Sequence, residues 1–238
     1  EVEYFVREQN WEDEFESWRQ EMNQFIENIG LDTDKVTEYD VPDDESAHYA
    51  KKTIDFEYDY PFGTKELYGL AYRTDYDLQN HIEASGEKLN YFDQQEQERF
   101  VPHVIEPSLG IDRTILALLD SALETEEVDG NERTVLRLNK EVAPIKIAVF
   151  PLQRKDKLKD KAYEVFELLQ DKWHTHYDET GSIGKRYRRQ DEVGTPYCIT
   201  VDFETVEDDD KVTVRDRDTM EQDRIAIDEL VEYFEAKF

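Results

Sequence analysis

The sequence predicts an α+β domain built on an antiparallel sheet, followed by a smaller α/β domain with a mixed sheet. Three observations carry that prediction. In TIDFEYDY, residues 53–60, Ile54, Phe56, Tyr58 and Tyr60 alternate with Asp55, Glu57 and Asp59, the period of a half-buried strand. The turn PFGT then leads into a returning run, KELYGLAYR, which makes an antiparallel hairpin. Beyond the charged, apolar-poor ETEEVDGNE the rhythm changes to strands alternating with helices, the pattern of an α/β unit. A chain of 238 residues with 38% hydrophobic content has room for two such cores. The expected boundaries are 1–126 for the first domain, 127–142 for a linker and 143–238 for the second.

The elements follow in order. EVEYFV reads as a strand at the very start of the chain, which suggests that an N-terminal portion precedes it. Residues 11–29 place Trp11, Phe15, Trp18, Met22, Phe25 and Ile29 at three- and four-residue intervals on one helical face, with Gly30 as the stop. After the hairpin, the polar SGEKLNYFDQQEQE leads to a third strand, RFVPHVIEP. The helix DRTILALLDSALE comes next, with Ile115, Leu118, Leu119 and Leu123 on one side. In the second half APIKIAVFPL and TPYCITVDF are continuous apolar strands, while KDKLKDKAYEVFELLQDKW and DRIAIDELVEYFEAKF are helical. VEDDDK is expected to be a solvated hairpin turn.

The formal net charge is -30, from 59 acidic against 29 basic residues. The 14 Tyr, 12 Phe and 3 Trp nevertheless demand a folded core, so the carboxylates coat the surface of a folded protein. Self-repulsion of this size is relieved by screening, which suggests adaptation to salt, as in a halophile's cytoplasm, or else binding to basic partners. Taken alone, the charge argues against nucleic acid, whose phosphates need cations. A lone cysteine, Cys198, lies in an apolar run and reads as a small core residue. No apolar run approaches the roughly 20 residues of a bilayer span, and the first residues carry no secretory signal, so a soluble, cytoplasmic protein is expected.

Chemistry-bearing residues gather in two places. Side chains two apart on a strand share a face, so Glu106 and Ser108 point at one spot, Gly110 lets a ligand approach the backbone, and Arg113 stands at the edge. Glu66 opens the strand that leads to Arg73, followed at the same spacing by Asp75 and Asp77. Carboxylates beside arginines on an antiparallel floor suit a substrate carrying an ammonium group, a phosphate chain and Mg²⁺, although surface ion pairs explain each residue equally by spacing. Arg113 in the first turn of a helix calls for an anion, either a phosphate or a neighbouring carboxylate. The second cluster is SIGKRYRRQDEVG, with Lys185, Arg186, Arg188 and Arg189, to which RDRDTMEQDR adds Arg215, Arg217 and Arg224. These cations either pair with Asp191 and Glu192 or mark where a polyanion lands. His48 and His81 are isolated, no metal site is expected from the sequence, and CxxC, HExxH, GxSxG and P-loop patterns do not occur.

These words assemble into a resemblance. VIEPSLGIDRTILALL resembles motif 3 of class II aminoacyl-tRNA synthetases. VPHVIEPS, ELYGLAYRTDYDLQNH, SAHYAKKTIDFEYDYPFGTKELYG, SGEKLNYFD, RTVLRLNKEVAPIKIAVFPL, GSIGKRYRRQDEVGTPYCITVDF and VRDRDTMEQDR are similar to the glycyl-tRNA synthetase family over nearly the whole chain. The resemblance implies part of a class II catalytic domain, containing motif 3, followed by an α/β anticodon-binding domain shared with the histidyl, prolyl and threonyl enzymes.

By the same resemblance, Arg113 would hold ATP, assisted by Glu66 and Arg73. Glu106 would face the glycine ammonium group, with Ser108 and Glu66 in the same pocket, and Arg113 and Glu106 would be the catalytic pair. Lys185, Arg186, Arg188, Arg189, Arg215 and Arg217 would contact tRNA. ATP is then a substrate, accompanied by Mg²⁺; tRNA(Gly) and glycine are partners, and the whole protein is a homodimer. The family's motifs 1 and 2 do not occur in these residues, so the chain resembles the C-terminal part of such an enzyme and is expected to be inactive alone. Its charge adds the expectation of a halophilic archaeal source. A non-catalytic tRNA- or partner-binding relative on the same scaffold, or an acidic interaction protein, is the alternative.

Overall fold

In the computed structural model, which describes residues 1–42 and 44–238, the first strand β1 (Tyr4–Val6) is followed by helix α1 (Trp11–Ile29). Phe15, Met22, Ile26 and Ile29 form the buried stripe of α1, each worth roughly 1.5–3 kcal/mol of burial. Phe25, expected on that stripe, is largely exposed and touches Tyr68 from the side, while Trp11 stacks flat on Tyr72. Gly30 closes the helix in the left-handed conformation, its N–H donating to Glu27 O and Ile26 O.

Next come β2 (Val36–Asp40), β3 (Lys52–Tyr60), β4 (Gly63–Thr74), α2 (Tyr76–Ser85), the short β5 (Tyr91–Asp93) and β6 (Glu98–Phe100), and β7 (His103–Leu109). The unit ends in α3 (Ile111–Ala122). The sheet order is β1-β7-β4-β3-β2, with every pairing antiparallel. The expected third strand is interrupted at Pro102: residues 98–100 pair with β5 as a small separate hairpin, and β7 enters the centre of the main sheet.

One face of this sheet carries Ile54, Phe56, Tyr58, Tyr68, Leu70, Tyr72 and Ile105, all buried. Helix α3 is fastened to that face by hydroxyls. Tyr58 Oη donates to Asp120 Oδ2 at 2.9 Å and lies 2.8 Å from Ser121 Oγ, and Tyr68 Oη lies 2.8 Å from Thr114 Oγ1. Consequently the inward side of α3 is Ala117 with small polar residues, and Ile115 and Leu119, expected to face the core, are exposed. Leu123 is not in the helix at all.

The chain divides into two compact units, 1–121 and 122–238. In place of a linker, residues 123–136 form a hairpin of β8 (Leu123–Val128) and β9 (Asn131–Leu136) turning at Asp129–Gly130, and they belong to the second unit. Charge hid the hairpin from a hydropathy reading, because its inward positions include an arginine, Arg133.

The second unit continues with β10 (Ile147–Pro151), α4 (Asp156–Gln170), β11 (Thr175–Tyr177), α5 (Ile183–Val193), β12 (Tyr197–Val201), β13 (Lys211–Asp216), β14 (Gln222–Ala226) and α6 (Leu230–Glu235). Its sheet runs β11-β10-β12-β13-β14, parallel among the first three strands and antiparallel after β12. Helices α4 and α6 supply Leu158, Val165, Leu169, Leu230 and Phe234 to the core on one face. Helix α5 covers the other, where Ile183 and Tyr187 pack on Ala148, Phe150 and Cys198. Burial pushes the Cys198 thiol above its usual range, so it stays a neutral core group. VEDDDK falls in a π-helical turn, Thr205–Asp209, that joins the paired strands β12 and β13. At the end of α5, Gly194 has φ +81°, and a Cβ there would stand 2.9 Å from Leu138 Cδ1 and 3.1 Å from Leu136 O. Only glycine lets α5 press so closely on that segment.

Candidate functional site

The second face of the first unit's sheet is polar. Cross-strand register sets Asp55 and Ser108 on either side of Gly69, and Glu106 beside Ala71. A bulge between Phe56 and Glu57 brings Glu66 opposite Glu57 and onto the same face. Of the residues singled out by the sequence, the structure therefore places Glu66, Arg73, Glu106 and Ser108 on one surface.

They are joined as two ion pairs rather than one cluster. Arg73 Nη1 donates to Glu106, while its Nε donates to Asp77 Oδ2 at 2.7 Å, and the guanidinium lies 4.1 Å above the Tyr49 ring. Asp77, followed first by Glu106, holds Arg73 protonated beyond its ordinary range. Asp75 plays a different part: at the start of α2 its carboxylate accepts from Gln79 Nε2 at 2.9 Å and its carbonyl from the Gln79 N–H. At the other end, Arg113 Nη1 donates to Glu66 O at 3.0 Å and lies 3.2 Å from Glu66 Oε2, with both side chains about half exposed. Its anion in this state is a carboxylate. Glu1, Glu66, Leu67, Ser108, Leu109, Gly110, Ile111, Asp112 and Arg113 line an open pocket of ≈ 760 Å³.

Two carboxyls on this face are disturbed upward. Burial raises Asp55, with Glu66 and Glu57 adding to it; burial likewise raises Glu3, helped by Glu106. Burial, reinforced by neighbouring carboxylates, is therefore what disfavours the charged form of both groups. A second cavity of ≈ 600 Å³, lined by Phe5, Tyr91, Phe100 and apolar neighbours, holds Arg7, whose guanidinium is already paired with Asp93 at 2.7 Å and Glu98 at 3.1 Å.

In the second unit the basic residues separate into two kinds. Lys185 is exposed, and Arg188 and Arg189 are partly so; Arg188 lies 3.5 Å from Asp191, and Arg189 donates to Asp178 and to Thr180 O. Arg186, Arg215 and Arg217, expected to meet tRNA, are buried in this structure and bonded within the chain. Arg186 donates to the carbonyls of Pro151 and Gly181, and burial pulls its pKa down. Arg217 donates to Gly194 O and Leu138 O, both at 2.9 Å. Arg215 grips Asp191 through both terminal nitrogens, at 2.9 and 3.3 Å. Asp191 also accepts from Arg133 Nε at 2.9 Å, and Arg133, which sequence reasoning passed over, is fully buried. A signal was present in KVTVRD. Val212 and Val214 face the main core, so Arg215 points to the opposite side of β13, toward α5. Arg224 is taken up by Asp202 and Asp209.

Similarity to known proteins accords with this architecture. The anticodon binding domain family matches residues 146–237. The chain is 48% identical over 237 residues to a glycine–tRNA ligase of Caldanaerobacter subterraneus subsp. tengcongensis, covering 100% of this chain and 51% of that protein. The glycine–tRNA ligases of Clostridium tetani and Geobacillus kaustophilus are each 49% identical, again over the whole chain and 51% of their own length. The chain is a homologue of the glycine–tRNA ligases. It spans about half the length of the curated relatives it matches. Its fold is that of a class II synthetase. A crystal structure of prolyl-tRNA synthetase from Cryptosporidium parvum complexed with L-proline and AMP superposes with a TM-score of 0.68 at 17% identity, covering 98% of this chain and 48% of that one. The glycine–tRNA ligases named are bacterial and lend no support to a halophilic archaeal source. Among the described residues no helix is long and apolar enough to cross a membrane.

Proposed function

We propose that the protein containing this chain is a glycine–tRNA ligase. It activates glycine with ATP and transfers it to the 3′ end of tRNA(Gly), acting as a cytoplasmic homodimer. The observation that carries the reading is 48–49% identity to glycine–tRNA ligases along the whole chain. The polar sheet face, with its two Arg–Glu pairs, is what such chemistry needs.

In the first step an oxygen of the glycine carboxylate attacks the α-phosphorus, and pyrophosphate leaves with the broken P–O bond. In the second, the terminal ribose hydroxyl attacks the glycyl carbonyl and AMP departs. Arg113, half exposed and held by an exposed carboxylate, exchanges Glu66 for the nucleotide phosphates at small cost. Arg73 keeps one oxygen of Glu106 occupied and so orients the other toward the glycine ammonium group. Ser108, lining the pocket beside Arg113 and Glu66, supports the substrate from β7. Rate acceleration comes from positioning and from preset charge rather than from a protein nucleophile. Mg²⁺ binds through one or two carboxylates plus substrate phosphates. Glu66 and Asp55 fit that role as neighbouring hard oxygen donors, both approaching the space above Gly69. Bound there, the ion would neutralise phosphate charge.

For tRNA, the exposed Lys185 and the partly exposed Arg188 and Arg189 of α5 form the anticodon-side contact. With so few cations and a net charge of -30, binding relies on base and shape contacts, and its salt dependence is shallow. Salt adaptation is retained as a property of the carboxylate surface, independent of the source.

The test is amino-acid-dependent exchange of pyrophosphate into ATP, using the protein at the length of its relatives. Glycine supports exchange; alanine, serine and proline do not, and Glu106→Gln raises the glycine KM at least about tenfold. Exchange driven equally by alanine, or absent with glycine, removes the reading.

A further inference from the structure

Along its polar face β4 carries Glu66, Gly69, Ala71 and Arg73. Ion pairs stand at both ends, Glu66 with Arg113 and Arg73 with Glu106. Between them the strand presents nothing larger than a methyl group.

Backbone geometry does not ask for glycine at position 69. It is not one of the positive-φ glycines, and it sits in regular antiparallel register with Asp55 on one side and Ser108 on the other. The irregularities of this strand fall on either side of it: Leu67 is the extra residue between the Glu57–Glu66 and Phe56–Tyr68 pairs, and Arg73 the extra residue between the Tyr72–Ile105 and Thr74–Val104 pairs. Crowding within the protein does not ask for it either. A Cβ on Gly69 would meet only Glu66 Oε1 at 3.8 Å and Asp55 Oδ1 at 3.9 Å, ordinary van der Waals separations. Yet an interior strand glycine weakens the strand, through backbone entropy and the missing side chain. A glycine placed where neither φ nor packing requires it, on a polar face between two charge pairs, marks the close approach of something outside the chain.

We infer that Gly69, with Ala71 beside it, is the floor on which the substrate rests, and that the missing Cβ at 69 sets how deeply the nucleotide sits between Arg113 and Glu106. The identity of the reacting junction above it, glycine carboxylate to α-phosphate, rests on the glycine–tRNA ligase reading; the bare floor itself does not. Gly69 is a specificity-determining residue: it fixes the height of the ligand, while the arginines and carboxylates at either end fix its position along the strand.

The inference is tested with Gly69→Ala and Gly69→Val in the protein at the length of its relatives, reading ATP affinity by calorimetry alongside thermal melting. In Gly69→Ala the melting temperature holds or rises, because the methyl has room and the unfolded chain loses freedom. ATP affinity nevertheless falls about tenfold or more, and further in Gly69→Val, since a methyl group on the floor lifts the phosphates by about an ångström from the charges that hold them. ATP affinity unchanged to within about twofold overturns the floor, as does a fall that merely tracks a drop in melting temperature, which would assign Gly69 to the fold. ATP binding is read without glycine, so a failure of the glycine reading appears separately, as missing glycine-dependent exchange in the unaltered protein.

Discussion

Arginine serves opposite ends in the two units. In the first, Arg113 is 54% exposed and faces Glu66 at 49%, an ion pair held across solvent. In the second, Arg133 at 0% and Arg215 at 7% close on Asp191 at 1%. A pair of the first kind contributes about 0–1 kcal/mol and is readily traded for a better anion. A pair of the second kind is permanent: removing one member strands a buried charge, at about 3–5 kcal/mol. What separates an exchangeable ion pair from a fixed one in these two examples is access to water rather than residue type or local spacing.

The sharpest way to break that comparison is Asp191→Ala, which leaves Arg133 and Arg215 buried and unpaired. Denaturant unfolding should show a loss of about 3–5 kcal/mol confined to the second unit. A loss below about 1 kcal/mol would place this network in the same class as Arg113–Glu66.

The second prediction concerns Arg113→Ala. Stability should change by no more than about 1 kcal/mol, because the pair is exposed. Glycine-dependent pyrophosphate exchange should slow roughly a hundredfold, the worth of about 3 kcal/mol of charge stabilisation in the transition state. Equal damage to folding and exchange would make Arg113 a structural residue like those of the second unit.

Within the first unit the smallest effect contrasts two aspartates. Lys35, 2.8 Å from Asp120, holds that carboxyl below its ordinary range, with burial opposing and Tyr58 assisting. Asp120 therefore adds stability above its unfolded pKa of about 3.9, and that stability is lost as pH falls through the lower folded value. Asp55 has the reverse sign. Its folded pKa is raised, so what it contributes is present below about 3.9 and is lost as pH rises through the higher folded value. At neutral pH Asp120→Asn should destabilise and Asp55→Asn should stabilise, by fractions of a kcal/mol in each case. Carboxyl NMR titrations should place the two midpoints on opposite sides of about 3.9. Midpoints on the same side would deny that burial and its carboxylate neighbours raise Asp55 while Lys35 lowers Asp120.

Much of the architecture is legible in short stretches of sequence. The alternation of TIDFEYDY, the stripe of α1 ended by Gly30, and the apolar strands β10 and β12 all depend on neighbours within a few residues, and all are present. Glu106 and Ser108 share a face through the strand period alone, and Arg113 sits in the first turn of α3. Where expectation and structure part, the deciding partner is distant. Helix α3 turns Ile115 and Leu119 outward because tyrosines from β3 and β4 capture its polar side, and no property of DRTILALLDSALE announces them. The expected linker, 127–142, overlaps the hairpin of residues 123–136 because the cation that anchors that hairpin is indistinguishable, in composition, from a solvated one.

By itself the sequence determined the β3–β4 hairpin, α1, the apolar strands of the second unit, the two-unit order, the mixed sheet and the residues available for chemistry, because each follows from local period, turn chemistry and spacing. It missed the β8–β9 hairpin and strand β14, whose residues 223–226 read as helical. Tertiary structure alone decided which charges are spent. Arg133 and Arg215 reach Asp191 across 58 and 24 residues, and Arg113 meets Glu66 across 47. Only the packed chain removes water from the first two and leaves it around the third. Desolvation is a property of the assembled surroundings, so the same guanidinium becomes a fixed strut in one unit and a solvent-facing, exchangeable ion-pair partner in the other.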